Sequence, residues 1–368
     1  YCSWRPFNGE IVMSIKKLSF VDNKSINAVA IGGAVLGSGG GGDPYVGKLM
    51  TQQSINETGG VKVIDIETLP DDALILPIAM MGAPTVMVEK FPSGNEFSQL
   101  VPMIEKMLTK PVTAILCIEA GGLNSTIPFA AASKLGLPII DGDAMGRAFP
   151  ELQMVTFTLG GISATPMAMV DEKGNGCNYS TISNVWTEKL ARAITIEMGG
   201  SAMCSLYPVS AKDCKEYLIK GSLSLIHHIG SIIEKHSFNA YQILVKELNG
   251  KHLFQGRVRD VERFSEGGFN RGVVKLEGID DFANREAKVD FQNEFLVAME
   301  GDNVLATTPD LICMFDANTG DPVTAETIKY GLAINVLGLP CDPIWQSKEA
   351  IDMIGPRYFK YDIDYKPL

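Results

Sequence analysis

Residues 111–150 read PVTAILCIEA GGLNSTIPFA AASKLGLPII DGDAMGRAFP. Val112 to Ile118 is a continuous apolar run, short enough for a strand and apolar enough to be buried on both faces. Glu119 to Asn124 breaks it with glycines, Pro128 to Leu135 follows as a helix, and Pro138 to Ile140 returns as a second short strand. Strand, helix and strand in that order, with apolar strands, predict a parallel or mixed sheet covered by helices.

The same texture extends upstream. Ile26, Val29, Ala30, Gly33 and Leu36 recur at helical spacing, with Asn23 or Ser25 as the N-cap. Asp43-Pro44 opens a second helix over Tyr45 to Gln53, since proline suits a first helical turn. Val61 to Ile66, Leu74 to Ala79 and Val86 to Glu89 read as strands, and Asn95 to Leu108 as an amphipathic helix containing Pro102. Downstream, Val185 to Met198 and Lys212 to His236 read as helices. From Tyr241 to about Val336, strands alternate with turn residues such as Asn249-Gly250, Glu266-Gly267-Gly268 and Thr319-Gly320-Asp321. The expected architecture is an α/β N-terminal domain over residues 14–170 and an α+β domain over 171–368, β-rich from about 241. Residues 1–13 are set aside as an extension or remnant, because Met13 is a plausible start.

The 368 residues suit about two domains, and 46% hydrophobic content supplies a sizeable core. A net charge of -11 without a basic cluster argues against a phosphate backbone as partner. Seven cysteines with no C-x-x-C pair suit a reducing compartment, so a cytoplasmic location is expected. No apolar stretch reaches the length of a membrane span, and the first residues lack the apolar core of a signal peptide. Hairpin-rich segments leave sheet edges to bury, which makes a homodimer the default assembly.

Gly37-Ser38-Gly39-Gly40-Gly41-Gly42 satisfies G-x-G-x-x-G, and Asp65 lies where a ribose-binding acid would fall. The dinucleotide fingerprint needs a strand before the glycines, however, and here a helix precedes them. A phosphate loop fails too, because Leu49 stands where a magnesium-binding hydroxyl is required. No nucleotide cofactor is expected. Two readings survive: converging backbone N–H groups that hold an anion or oxyanion, or a close-packed corner that admits no side chains.

Glu119 and Asp141-Gly142-Asp143 follow predicted buried strands, and ligands of open α/β sheets gather beyond carboxyl strand ends. Glu119, Asp141 and Asp143 therefore offer carboxylates for a general base or a divalent metal, and neighbouring carboxylates raise one another's pKa. Arg147 would clamp a substrate carboxylate or balance the charge. Helix capping by the aspartates and a structural ion pair make the competing reading. His227, His228 and His236 show no metal-ligand spacing, and Asp316 to Asp321 resembles a calcium loop but has Thr327 where the glutamate is needed.

The chain resembles the S-methyl thiohydantoin desulfurase-like proteins, a family linked with hydantoinase/oxoprolinase enzymes. The resemblance rests on LGSGGGGDPY (36–45), GAPTVMVEK (82–90), Glu119 to Asn124 with Pro128, DGDAMGRAFPELQM (141–154), TPDLICMFDANTGDP (308–322) and Lys329-Tyr330-Gly331. Members often carry cysteine in the glycine block where this chain has Ser38, so chemistry that needs a thiol there would be altered. The resemblance implies hydrolytic loss of methanethiol from an S-methylated thiohydantoin ring, leaving a hydantoin. On that expectation Glu119 or Asp141 activates water, and Asp143 orients it or helps hold a metal. Arg147 and Asn124 bind the ring's substituents, and Gly39, Gly40, Gly41, Gly42 and Asp43 form the bend that stabilises negative charge. Asp141→Asn should then cost about a hundredfold or more in kcat. The alternative is a non-catalytic binding or accessory protein of a hydantoinase/oxoprolinase system.

Overall fold

The computed structural model describes residues 2–4, 13–82, 86, 90, 92–266 and 269–368. Most of the Val86–Glu89 strand, most of the GAPTVMVEK stretch and the Gly267-Gly268 turn lie outside those residues, as does most of the 1–13 segment. Cys2–Trp4 pairs antiparallel with Met13–Ile15.

The first sheet has nine strands. Its heart is parallel: Leu74–Gly82 lies beside Val112–Cys117, which lies beside Ile139–Ile140, which lies beside Val61–Ile64. These strands are apolar without alternation because both faces are covered; Ala114 to Cys117 are fully buried. The edges run antiparallel, with Phe20–Val21 on one side and Ser201–Ser205, Met167–Val170 and Gly176–Tyr179 in succession on the other. The sheet is therefore mixed, and three of its strands (Gly176–Tyr179, Ser201–Ser205 and Val209–Ser210) come from beyond residue 170. The second sheet is wholly antiparallel. Its order is Asn303–Thr307, Glu294–Glu300, Glu286–Gln292, Phe269–Gly278, Lys251–Glu266, Ala333–Leu339, Leu311–Asp316, Pro322–Val323.

Two helices set the geometry between the sheets. Ser25–Leu36 has Lys24 as its N-cap, and the Asp22 carboxylate accepts the N–H groups of Lys24 and Ser25, so neither Asn23 nor Ser25 is the cap. It packs against Ser222–His236 with backbone touching backbone. A Cβ on Gly32 would lie 1.8 Å from the carbonyl oxygen of Ile226, and one on Gly230 would lie 1.8 Å from that of Ala28. The helix expected over Lys212 to His236 is in fact two, Ala211–Tyr217 and Ser222–His236. Gly221 stands between them at φ +81°, and Ile219–Lys220 pairs with Gly142–Asp143, which helical backbone could not do. The helix after Asp43 runs further than the expected Gln53, to Thr58.

Candidate functional site

Leu74–Gly82 and Val112–Cys117 are parallel neighbours, so their carboxyl ends emerge at the same sheet edge. A cavity of about 110 Å³ lies there. Met80, Met81 and Gly82 wall it from one strand and Ile118 and Glu119 from the other. Gly41 and Gly42, Phe149 to Leu152, Cys204, the Glu188–Arg192 pair and Glu294 complete it.

Glu119 is 6% exposed, and burial lifts its pKa to about 8; Asp143 adds to the rise and a hydrogen bond from Asn124 works against it. Asn124 is fully engaged. Its Oδ1 accepts the Met80 N–H at 2.7 Å, and its Nδ2 donates to the Met80 carbonyl at 3.1 Å and to Glu119 Oε1 at 2.7 Å. With both donors used, Asn124 aims Glu119 rather than a ring carbonyl, contrary to its expected role.

Asp143 is fully buried and one of its oxygens accepts three backbone N–H groups, from Ala120, Met145 and Gly146, at 2.7–3.0 Å. Burial raises its pKa to about 6 against those bonds. It clips the Glu119 loop to the turn at Met145-Gly146. Asp141 points elsewhere: its two oxygens take the N–H and the hydroxyl of Ser224, in the first turn of Ser222–His236. The capping reading of Asp141 is the one the geometry supports, and neither aspartate lines the cavity. Among the described residues no group of three or more histidine, cysteine or acidic side chains is placed to hold a metal ion, so Glu119, Asp141 and Asp143 do not form a donor set.

Arg147 is 1% exposed. Its guanidinium donates to the carbonyls of Ala148, Pro309, Asp310 and Phe295 and stacks 4.8 Å over Phe149. It ties the two sheets together and does not line the cavity. The cation that does is Arg192, which pairs with Glu188 and lies 4.4 Å over the ring of Phe269. Glu188 in turn accepts the Leu152 N–H.

The glycine run divides between the two readings. Ser38 and Gly39 are a packed corner: their carbonyls accept Phe295 N–H and Ala325 N–H, and the Ser38 hydroxyl bridges the backbone of Ile312. Gly39 has φ +88° and a Cβ there would lie 2.5 Å from the Phe295 ring. At Gly40 a Cβ would sit 2.1 Å from Oε1 of Glu294, so the missing side chain is what admits that carboxyl. Gly41 and Gly42 reach the cavity, whereas Asp43 is exposed and caps the Pro44–Thr58 helix through Tyr45 N–H.

Glu294 is the residue that sequence reasoning missed. It opens the Glu294–Glu300 strand after Asn293, which is held at φ +58° and whose side chain accepts Asn270 N–H. It is 2% exposed, and burial with the nearby Glu119 pushes its pKa well up while Arg147 pulls it down. Glu188 and Arg192 were missed as well. Their i, i+4 spacing is visible in sequence, but nothing local says which face of the helix meets a cavity.

A solved structure of a protein from Chromobacterium violaceum shares this fold, with TM-score 0.82 at 23% identity over 95% of this chain and 100% of that one. Among curated proteins none matches the chain. One family model, the S-Me-THD-like N-terminal domain, matches residues 24–181, and the S-Me-THD-like C-terminal domain matches residues 182–368. Both halves having found their counterparts in one family, the chain belongs to the S-Me-THD-like proteins, the S-methyl thiohydantoin desulfurase-like family.

Proposed function

We propose that the cavity hydrolyses the C–S bond of an S-methylated, hydantoin-like ring, with Glu119 as general base and Glu294 as general acid. The carrying observation is that two buried carboxyls, one from each sheet region, line one cavity, and that burial raises the pKa of both. Glu119, lifted to about 8 and aimed by Asn124, is assigned as the base, and Glu294, whose burial favours its protonated form, as the acid. The oxygen of water bonds to the amidine-like ring carbon as Glu119 takes a proton. The C–S bond then breaks and the sulfur leaves as methanethiol with the proton from Glu294. Glu119 passes its proton to the ring nitrogen, and the hydroxyl proton left on the new oxygen goes to Glu294 as the carbonyl forms, so methanethiol and the ring share the two hydrogens of water and both carboxyls return to their starting states. Arg192, rather than Arg147, is the cation offered to an anionic substituent, and Gly41-Gly42 lets the ring approach the backbone.

The test is methanethiol release from an authentic S-methyl thiohydantoin across pH. With Glu119 as base, kcat/KM should rise about tenfold per pH unit below about 8 and level above it. Glu119→Gln should lower kcat at least about a hundredfold. Full turnover by that variant, or a rate that falls through pH 8, would remove Glu119 as the base.

A further inference from the structure

The helix Asn184–Glu197 presents two working faces. Its inner face carries Thr187, Glu188, Ala191 and Thr195, all buried, and supplies Glu188 and Arg192 to the cavity wall. Its outer face is open and largely apolar: Ile182 just before the helix is 90% exposed, Val185 49%, Trp186 47%, Leu190 40% and Ile196 64%, with Ala193 exposed among them and Lys189 5.1 Å over the Trp186 ring. The 3–4 residue spacing makes them one stripe. The helix cannot turn to hide it, because Glu188 is held by Arg192 and Leu152 N–H on the other side.

We propose that this stripe is a two-fold interface on which a second copy of the chain docks, helix against antiparallel helix, crossing at Ala193. The stripe is self-complementary about that point. A two-fold axis through Ala193 sets Leu190 of one copy opposite Ile196 of the other, and Lys189 opposite Glu197, so apolar meets apolar and cation meets anion. Ala193 meets itself, and a methyl group lets the backbones approach. Phe264, 55% exposed, extends the apolar surface: it lies two residues along its strand from the partner of Phe269, whose ring stacks with Arg192 of the same helix.

Sedimentation velocity of the purified full chain over roughly 1–100 µM reads the assembly. The wild type should run as a dimer, and Ala193→Arg as a monomer with unchanged circular dichroism and melting temperature. Lys189→Glu should weaken association at least about tenfold, and adding Glu197→Lys in the same chain should restore it. The charge exchange involves surface side chains only, so it reads the interface even if Ala193→Arg folds poorly. A wild type monomeric throughout the range, a dimer indifferent to Ala193→Arg in folded protein, or a double charge exchange no tighter than Lys189→Glu alone would each overturn the proposal.

Discussion

A carboxyl group removed from water holds its proton more tightly, since the anion loses hydration that the neutral acid scarcely needs. In Glu119 that effect outweighs the single hydrogen bond from Asn124, and the consequence reaches beyond catalysis. The folded-state pKa of about 8 stands above the ordinary 4.5, so between those values the folded chain binds more protons than the unfolded one. Stability contributed by this residue is therefore intact below about 4.5 and is lost as pH rises towards 8. Glu119→Gln keeps an acceptor for Asn124 and carries no charge. It should stabilise the protein relative to wild type by on the order of a few kcal/mol at pH 9 and by little at pH 5, as read by urea unfolding. An equal difference at both values would mean that Glu119 is not held protonated by the fold. Glu119 was legible because it ends an apolar strand with glycines behind it. Glu294 was not, because its position depends on the reversal at Asn293 and on the space left by Gly40, more than 250 residues earlier in the chain.

At the scale of elements, the two aspartates of the turn after Ile139–Ile140 serve the backbone. Asp143 gathers three N–H groups, and Asp141 receives the first turn of Ser222–His236. An aspartate one residue past a strand looks the same in sequence whether it meets a ligand or a helix; the difference lies in which element the fold brings opposite. The helix opposite Asp141 was itself misread as continuous from Lys212, so its N-terminus at Gly221 could not be anticipated. The parallel heart of the first sheet was readable, because strands buried on both faces announce themselves as apolar runs. The antiparallel edge strands beyond residue 170 were not, since short half-exposed segments such as Gly176–Tyr179 carry little pattern. The assignment of Asp141 to the helix reverses the expected hundredfold loss for Asp141→Asn. That variant should keep kcat within about threefold of wild type, while exchanging one acceptor for a donor should cost about 1–3 kcal/mol of stability. A large fall in kcat with unchanged urea midpoint would return Asp141 to the chemistry.

For the whole molecule, the cavity exists only while the two sheets keep their relative position, since Glu119 and Glu294 come from different ones. Two devices hold that position. The corner at Ser38-Gly39 accepts Phe295 and Ala325 N–H on its carbonyls and bridges the Ile312 backbone with the Ser38 hydroxyl, and the buried Arg147 fork gathers carbonyls at Phe295, Pro309 and Asp310. Arginine suits this place because one planar group can serve several acceptors in fixed directions. Replacing it with leucine fills the volume but strands those carbonyls, each at about 1–3 kcal/mol, so Arg147→Leu should destabilise by on the order of several kcal/mol. Arg147→Lys should recover little of that, because a single ammonium cannot span the acceptors. The two roles for Arg147 separate cleanly in measurement. If it bridges the sheets, urea midpoints fall in both variants and KM for an anionic ring substrate stays within about twofold in the protein that remains folded. If it clamps a substrate carboxylate, KM rises at least about tenfold while the urea midpoint holds.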